Sequence, residues 1–285
     1  MSGFVVNVIG QDADPALFRG LGAIAELSPG HAFDIAADDP SVLARARAIA
    51  AGRPWDINPV AIAGRRKKLL VADMDSTIIN VECLDELADM AGLKGPIAAI
   101  TERAMRGELE FEAALKERVG MLKGLPLAAL ERTYTERVRL NPGATTLLAT
   151  MGAHGAHRVL VSGGFTFFTS RVAVRAGFDQ NFGNTLIDDG TALTGQVGMP
   201  ILGRQAKVET MTRAVAQRNI TAADALAVGD GANDLGMIEL AGLGVAYHAK
   251  PVVAGAARAA IRHNDLTALL YLQGYRDGEI TRPPD

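Results

Sequence analysis

The residues best placed to do chemistry fall at three points of the chain. Asp73 and Asp75 stand two residues apart at the end of the apolar run Leu69-Leu70-Val71-Ala72. Ser162-Gly163-Gly164 follows the apolar run that ends at Val161, and Gly229-Asp230-Gly231-Ala232-Asn233-Asp234 follows Ala225 to Val228. Lys207 lies at the opening of the helical stretch before the third point. Side chains alternate along a strand, so an extended backbone through Asp75 would aim both acids the same way. Two neighbouring carboxylates repel, and a fold tolerates them when a cation or a shared proton offsets the repulsion. Carboxylates at two strand ends suit Mg²⁺, a hard cation that uses few protein ligands. A Ser-Gly-Gly turn at a helix start offers a hydroxyl and backbone N–H groups to an anion. With Lys207 as a compact positive charge, the set suits the binding and transfer of phosphate. A plainer role stays open for the first pair, because Asp-Ser-Thr is also helix-capping chemistry.

The elements that must position these groups follow from hydrophobic patterning. Leu69 to Ala72 reads as a strand buried on both faces, and such sheets bind ligands beyond the carboxyl ends of their strands. Downstream, helix Ala144–Met151, strand Arg158–Val161, helix Phe167–Ala176, helix Glu209–Arg218 and strands Ala225–Val228 and Leu243–Ala246 alternate, with a small hairpin around Phe182 to Val197. That alternation predicts an α/β fold with a doubly wound parallel sheet. From Glu82 to Asn141 the pattern is helical, with Phe111, Leu115, Val119 and Leu122 at helical spacing. Arg118 shares nearly the same face as Phe111, either as a snorkelling edge residue or as a grip for a carboxylate.

Residues 1 to about 63 form a separate βα-rich unit: strand Phe4–Ile9, helix Pro15–Leu27, strand Ala32–Ala36 and helix Ser41–Ala51. The cations Arg65-Arg66-Lys67-Lys68 then read as a solvated linker, and Arg276 to Asp285 as a fraying end.

Composition narrows the class. The chain has 285 residues, 48% hydrophobic and 21% charged, with a net charge of −3, so no basic field points to nucleic acid. The single cysteine, Cys83, forms no internal disulfide and reads as an apolar filler in a reducing, cytoplasmic setting. No apolar run approaches the ~18 residues of a membrane span, and the N-terminus lacks the basic segment of a signal peptide. Neither G-x-x-x-x-G-K-[ST] nor a strand-following G-x-G-x-x-G occurs. His154-Gly155-Ala156-His157 has no cysteine or acid beside it and reads as a surface turn rather than a metal site.

Asp73-Met74-Asp75-Ser76-Thr77, Ser162-Gly163, Lys207 and Gly229-Asp230-Gly231-x-Asn233-Asp234 resemble, in order and spacing, the four motifs of the haloacid dehalogenase superfamily. The strings Ala104-Met105-Arg106-Gly107 and Phe111-Glu112 to Arg118-Val119, with Glu82, are similar to the phosphoserine phosphatase branch of that superfamily. The resemblance implies a haloacid dehalogenase-like core over 66–81 and 142–275, a helical cap over 82–141, and an amino-acid-binding module of the ACT type over 1–65. It further implies Asp73 as nucleophile, Asp75 as acid and base, and Mg²⁺ held by Asp73, Asp230 and the backbone carbonyl of Asp75. Ser162, Gly163, Lys207 and Asn233 would bind the phosphoryl group, and Asp234 would support Lys207 or the metal. Glu82, Met105, Phe111 and Arg118 would select phosphoserine, a small-molecule substrate. Three roles stay open for the N-terminal unit: pairing two chains as a homodimer, sensing serine, or packing alone. The rival functions are a phosphatase or phosphotransferase for another small phosphomonoester, and a non-catalytic amino-acid sensor.

Overall fold

The computed structural model describes residues 3–106 and 108–283. Its N-terminal part comprises β1 (Phe4–Ile9), β2 (Ile24–Ser28), β3 (Ala32–Ala37), helix α1 (Ser41–Ile49) and β4 (Asp56–Ala61). The strands form an antiparallel sheet of order β2-β3-β1-β4. Alternation along β1 divides its valines between two cores. Val6 and Val8 pack with Phe18, Phe33, Ile35 and Trp55 on the α1 side. Val5 and Ile9, with Leu27, Ala32 and Val60, join the core of the main body.

That body opens on β5 (Leu69–Ala72), all four residues fully buried. Helices α2 (Cys83–Met90), α3 (Lys94–Met105), α4 (Phe111–Met121) and α5 (Leu127–Arg137) follow. The chain then returns through α6 (Ala144–Ala153), β6 (His157–Phe165), α7 (Thr166–Ala176), β7 (Gln180–Asn184) and the hairpin β8 (Leu186–Asp188) and β9 (Leu193–Val197). It closes with α8 (Arg204–Gln217), β10 (Ala225–Gly229), α9 (Leu235–Leu240), β11 (Leu243–Tyr247), α10 (Pro251–Ala256), β12 (Ala259–Ile261) and α11 (Ala268–Leu272). The sheet is six-stranded and parallel, of order β12-β11-β10-β5-β6-β7. Ala72 is in register with Val228 on one side and Leu160 on the other. The three polar segments therefore leave neighbouring strands at nearly one level.

Several expectations need correcting. The helix over 15–27 is a single turn at Pro15–Phe18, followed by β2. Gly20, at φ +86°, and Gly22, packed on the Ala36 carbonyl, stop propagation and let Ile24–Ser28 pair with β3. Strands β4 and β12, each short and bordered by polar residues, escaped the pattern. Ser162–Phe165 continues β6 rather than turning, with its irregularity absorbed as a register shift against β7.

The basic quartet is a solvated linker only in part: Arg66 and Lys68 are exposed, Arg65 and Lys67 are not, and each cation has its own partner. Arg65 forms a bidentate pair with Asp34 (2.5 and 2.8 Å) and donates to the Leu272 and Tyr271 carbonyls. Arg66 pairs with Glu279 and lies over Tyr275. Lys67 donates to the Gly64 and Ala223 carbonyls, and Lys68 pairs with Asp224. The C-terminal stretch expected to fray is tied from Arg276 to Thr281, and residues 284–285 lie outside the described residues. Asp277 accepts from Ser28 and Tyr271, and the Thr281 N–H donates to Thr150.

The Arg65–Asp34 pair is nearly buried, at 12% and 8% side-chain exposure. Removing one partner strands a charge in a dry seam, so Arg65→Ala is expected to cost about 3–5 kcal/mol in denaturant unfolding. A loss typical of an exposed pair, under about 1 kcal/mol, would count against a desolvated bridge.

Candidate active site

The site is built from the ends of three adjacent central strands. Past Ala72 the backbone stays extended at Asp73 (φ −68°, ψ 157°) and Asp75 (φ −66°, ψ 135°), and then turns back through Ser76 at φ +56°. Lys207, in the first turn of α8 and 2% exposed, donates to Asp73 Oδ1 at 2.5 Å and to Asp234 Oδ1 at 2.6 Å. Asp234 is fully buried, and its Oδ2 accepts the Gly231 N–H at 3.1 Å. Both of its oxygens are thus occupied in holding Lys207 and the Gly231 turn.

Asp73, Asp230 and Asp234 offer carboxylate oxygens within 4.8 Å of one another. Burial first, then the Asp234 charge, pushes the Asp73 carboxyl well above its usual range, against the opposing pull of Lys207. Burial and Asp234 likewise raise Asp230, whose Oδ1 accepts from Thr77 at 3.4 Å. One lysine is too little positive charge for this cluster. An all-oxygen, partly free donor set with excess negative charge is what a hard divalent cation offsets.

Asp75 is held by different partners from Asp73. Its Oδ1 accepts the Cys83 N–H, the first of α2, at 2.9 Å, and its Oδ2 accepts from Ser162 Oγ at 3.0 Å. The capping alternative therefore holds in part, because Asp75 does cap a helix, though not through the residues that follow it directly. Burial raises its pKa against those hydrogen bonds, which favours a carboxyl able to hold a proton. Ser162 Oγ accepts from the Gly164 N–H at 2.8 Å. A Cβ on Gly164 would lie 2.9 Å from Asp75 Oδ2, so the close approach of β6 to this acid depends on glycine there.

The helical segment α2–α5 lies across these strand ends. Leu115, Val119 and Leu122 are buried as the helical spacing predicts, whereas Phe111 is 40% exposed. Its ring covers the glycines beneath it: a Cβ on Gly163 would meet Phe111 at 3.4 Å, and one on Gly203 at 3.2 Å. Glu82 accepts from Ser76 Oγ at 2.7 Å; the residue is exposed overall, yet crowding of its carboxyl against the site, then the Asp75 charge, pushes its pKa up to about 7. Arg118 is half-buried and feels the charges of Asp85 and Glu82, yet forms no ion pair among the described residues. A carboxylate and a guanidinium thus lie within reach of one another's charge beside Asp75. Asn233 is exposed in the 3-10 turn Ala232–Asp234, and the Met105 side chain lies outside the described residues.

The family model for haloacid dehalogenase-like hydrolases matches residues 70–239. A phosphoserine phosphatase from Polaromonas sp. is 46% identical over 210 residues, covering 72% of this chain and 89% of that protein. The chain belongs to the phosphoserine phosphatase family. Among solved structures, a HAD family hydrolase from Salmonella enterica serovar Typhi superposes with a TM-score of 0.85 at 32% identity, over 95% of this chain and 98% of that one. A probable phosphoserine phosphatase from Vibrio cholerae, unliganded, gives 0.82 at 33% identity, over 96% and 86%. Both matches extend through the N-terminal sheet, so the family architecture here includes it.

One residue of this family member was not legible in its sequence. Asn184, at the end of β7 and 1% exposed, donates from Nδ2 to the Gly163 carbonyl (2.8 Å) and the Leu202 carbonyl (3.2 Å), while its Oδ1 accepts the Leu202 N–H (2.7 Å). It fastens the Ser162-Gly163 segment to the chain that leads into α8 and Lys207. Asn184→Ala leaves two carbonyls and an N–H unpaired in a buried place. The expected cost is about 1–3 kcal/mol of stability, and turnover should fall by on the order of tenfold or more through loosened geometry. Unchanged turnover would remove the positioning role.

Proposed function

We propose that the protein hydrolyses O-phospho-L-serine to L-serine and phosphate through an aspartyl-phosphate on Asp73, the last step of serine biosynthesis. The observation that carries this reading is the buried Asp73–Lys207–Asp234 cluster beside a separately hydrogen-bonded Asp75, with the charges of Glu82 and Arg118 close by. Asp73 Oδ2, the oxygen not engaged by Lys207, attacks phosphorus, and the bond to the serine oxygen breaks. Asp75 gives a proton to that oxygen, then takes one from the water that hydrolyses the acyl phosphate. Lys207, Ser162 Oγ, the Gly163 backbone and Asn233 receive the phosphoryl oxygens. Asp73, Asp230 and the Asp75 carbonyl would hold Mg²⁺, which when bound offsets negative charge on the transferring group. The Asp234 carboxylate, occupied by Lys207 and Gly231, keeps the lysine in place.

Substrate choice rests on the two anchors. Glu82 pairs with the substrate ammonium and Arg118 with its carboxylate, while Phe111 shields the phosphoryl site from water. Arg118→Ala should raise KM for phosphoserine far more than for an aryl phosphate, and equal losses on both would remove the carboxylate role. Glu82 must be ionised to hold an ammonium, so KM should fall as pH rises through about 7, the value to which its carboxyl is raised. Glu82→Gln should flatten that limb, and a limb that survives the substitution would assign it to another group.

The direct test is phosphate release from L-phosphoserine with Mg²⁺ and with EDTA, beside a panel of phosphomonoesters. Metal-dependent preference for phosphoserine supports the whole reading. Preference for another ester keeps the chemistry and overturns the roles of Glu82 and Arg118. We also read residues 1–65 as an ACT-type module, supported by the antiparallel order β2-β3-β1-β4 with α1 on one face. Its first helix is reduced to the turn Pro15–Phe18. A cytoplasmic setting accords with the single, buried Cys83.

A further inference from the structure

A cavity of about 590 Å³ lies in the seam between the antiparallel sheet and the β12 edge of the parallel one. Arg47 of α1 forms part of its wall, and Arg258, Arg262 and His263, which flank β12, form another part. Among the described residues none of the three arginines takes part in an ion pair; all three are exposed. The acid among the lining residues, Asp56, is 3% exposed and already engaged. Its Oδ1 accepts the Arg262 N–H at 2.8 Å, and its Oδ2 accepts from Asn264 Nδ2 at 2.7 Å and from the His263 and Asn264 N–H groups. Asn58 is engaged too, both of its amide atoms being bonded to the Ala260 backbone. The polar floor is therefore satisfied from within the protein, and the positive wall is not.

Three guanidinium groups around one concavity repel one another, and an anion between them relieves that repulsion. The planar fork of arginine matches the oxygens of carboxylates and phosphates. The volume falls in the range of about 300–1,000 Å³ typical of small-molecule sites, and a chain of net charge −3 gives no wider basic surface for a polymer. We propose that this seam cavity binds a small polyanion carrying phosphoryl or carboxylate groups, gripped by Arg47 from one side and by Arg258 and Arg262 from the other. The site is distinct from the phosphatase cleft. It is not isolated from it, however: His263 also lines a second cavity, of about 410 Å³, that reaches Ser76.

The test is calorimetric titration of the full, metal-free chain with tricarballylate and, separately, with inorganic pyrophosphate. The expected result is saturable binding of at least one probe at one site per chain, and which probe binds tells carboxylate from phosphoryl recognition. Arg258→Gln with Arg262→Gln should weaken it by about tenfold or more, a loss of about 1.4 kcal/mol, and Arg47→Gln should weaken it from the opposite wall. These side chains are exposed, and an unchanged melting temperature without probe would verify folding. Arg118→Gln, in the phosphatase cleft, should leave probe binding intact. No saturable binding at millimolar probe would overturn the proposal. So would binding that is lost with Arg118→Gln, or binding indifferent to Arg47, Arg258 and Arg262.

Discussion

Asp73→Asn is expected to eliminate phosphoserine turnover, by on the order of 10⁴-fold or more, while leaving the metal-free protein at least as stable as the parent. The two halves of this result have one cause. Asp73 is buried, lies close to Asp234 and Asp75, and has its pKa raised well above the usual carboxylate value despite Lys207. An acid whose folded pKa exceeds its unfolded value binds its proton more tightly when folded, so stability falls as pH rises from the unfolded value through the folded one. At neutral pH the ionised Asp73 is a cost that the amide does not carry, and Asp234 still pairs with Lys207 at 2.6 Å. Activity assays beside thermal melts in EDTA would read both effects. A variant that turned over normally would remove Asp73 as nucleophile. One that lost activity only by unfolding would remove the claim that the group is held at an energetic disadvantage for chemistry.

Asp75→Asn should act differently. The amide oxygen can still accept the Cys83 N–H, so the turn and α2 are expected to survive. What disappears, on the proposed mechanism, is a proton that moves twice. Turnover of phosphoserine, whose alkoxide leaving group needs that proton, should drop by about 10²–10⁴-fold. Phosphorylation by an aryl phosphate should suffer less, because a phenolate leaves with little help. Hydrolysis of the phosphorylated protein stays slow in both cases. With an aryl phosphate the variant should therefore release one burst of phenol per site and accumulate a phosphorylated chain. Equal losses on both substrates with no burst would place Asp75 in a structural role alone.

How far the site was legible depends on where each signal resides. Asp73 and Asp230 were readable because each follows an apolar strand directly, and Asp75 because it stands two residues after Asp73; a sharp change from apolar to acidic residues survives in sequence. Lys207 was readable by its order, although its helix begins at Arg204 rather than near Glu209. Asn184 was not, since its partners are the backbone atoms of Gly163 and Leu202, which have no side-chain signature. Arg65 to Lys68 misled for a related reason. Four adjacent cations suggest solvent when their acids, Asp34, Glu279 and Asp224, lie far away in the chain. The α/β alternation held in the main body, where the apolar runs are continuous. The helix expected over 15–27 failed because two glycines outweighed a good start signal at Asp14-Pro15.

The docking of β4 on β12 bears on how the protein behaves outside its folded context. β12 is a three-residue edge strand, and the Asn58 side chain takes both the N–H and the carbonyl of Ala260. Beside it, Val5, Ile9, Leu27, Ala32 and Val60 cover apolar residues of the main body that include Leu269 and Leu270. A chain trimmed of its first 65 residues would bare an unpaired strand edge next to an oily patch, the combination that templates sheet-to-sheet aggregation. Such a fragment should precipitate or form soluble oligomers even with every catalytic residue in place. On that expectation the N-terminal sheet serves this chain as a built-in solubility shield for the enzyme beneath it.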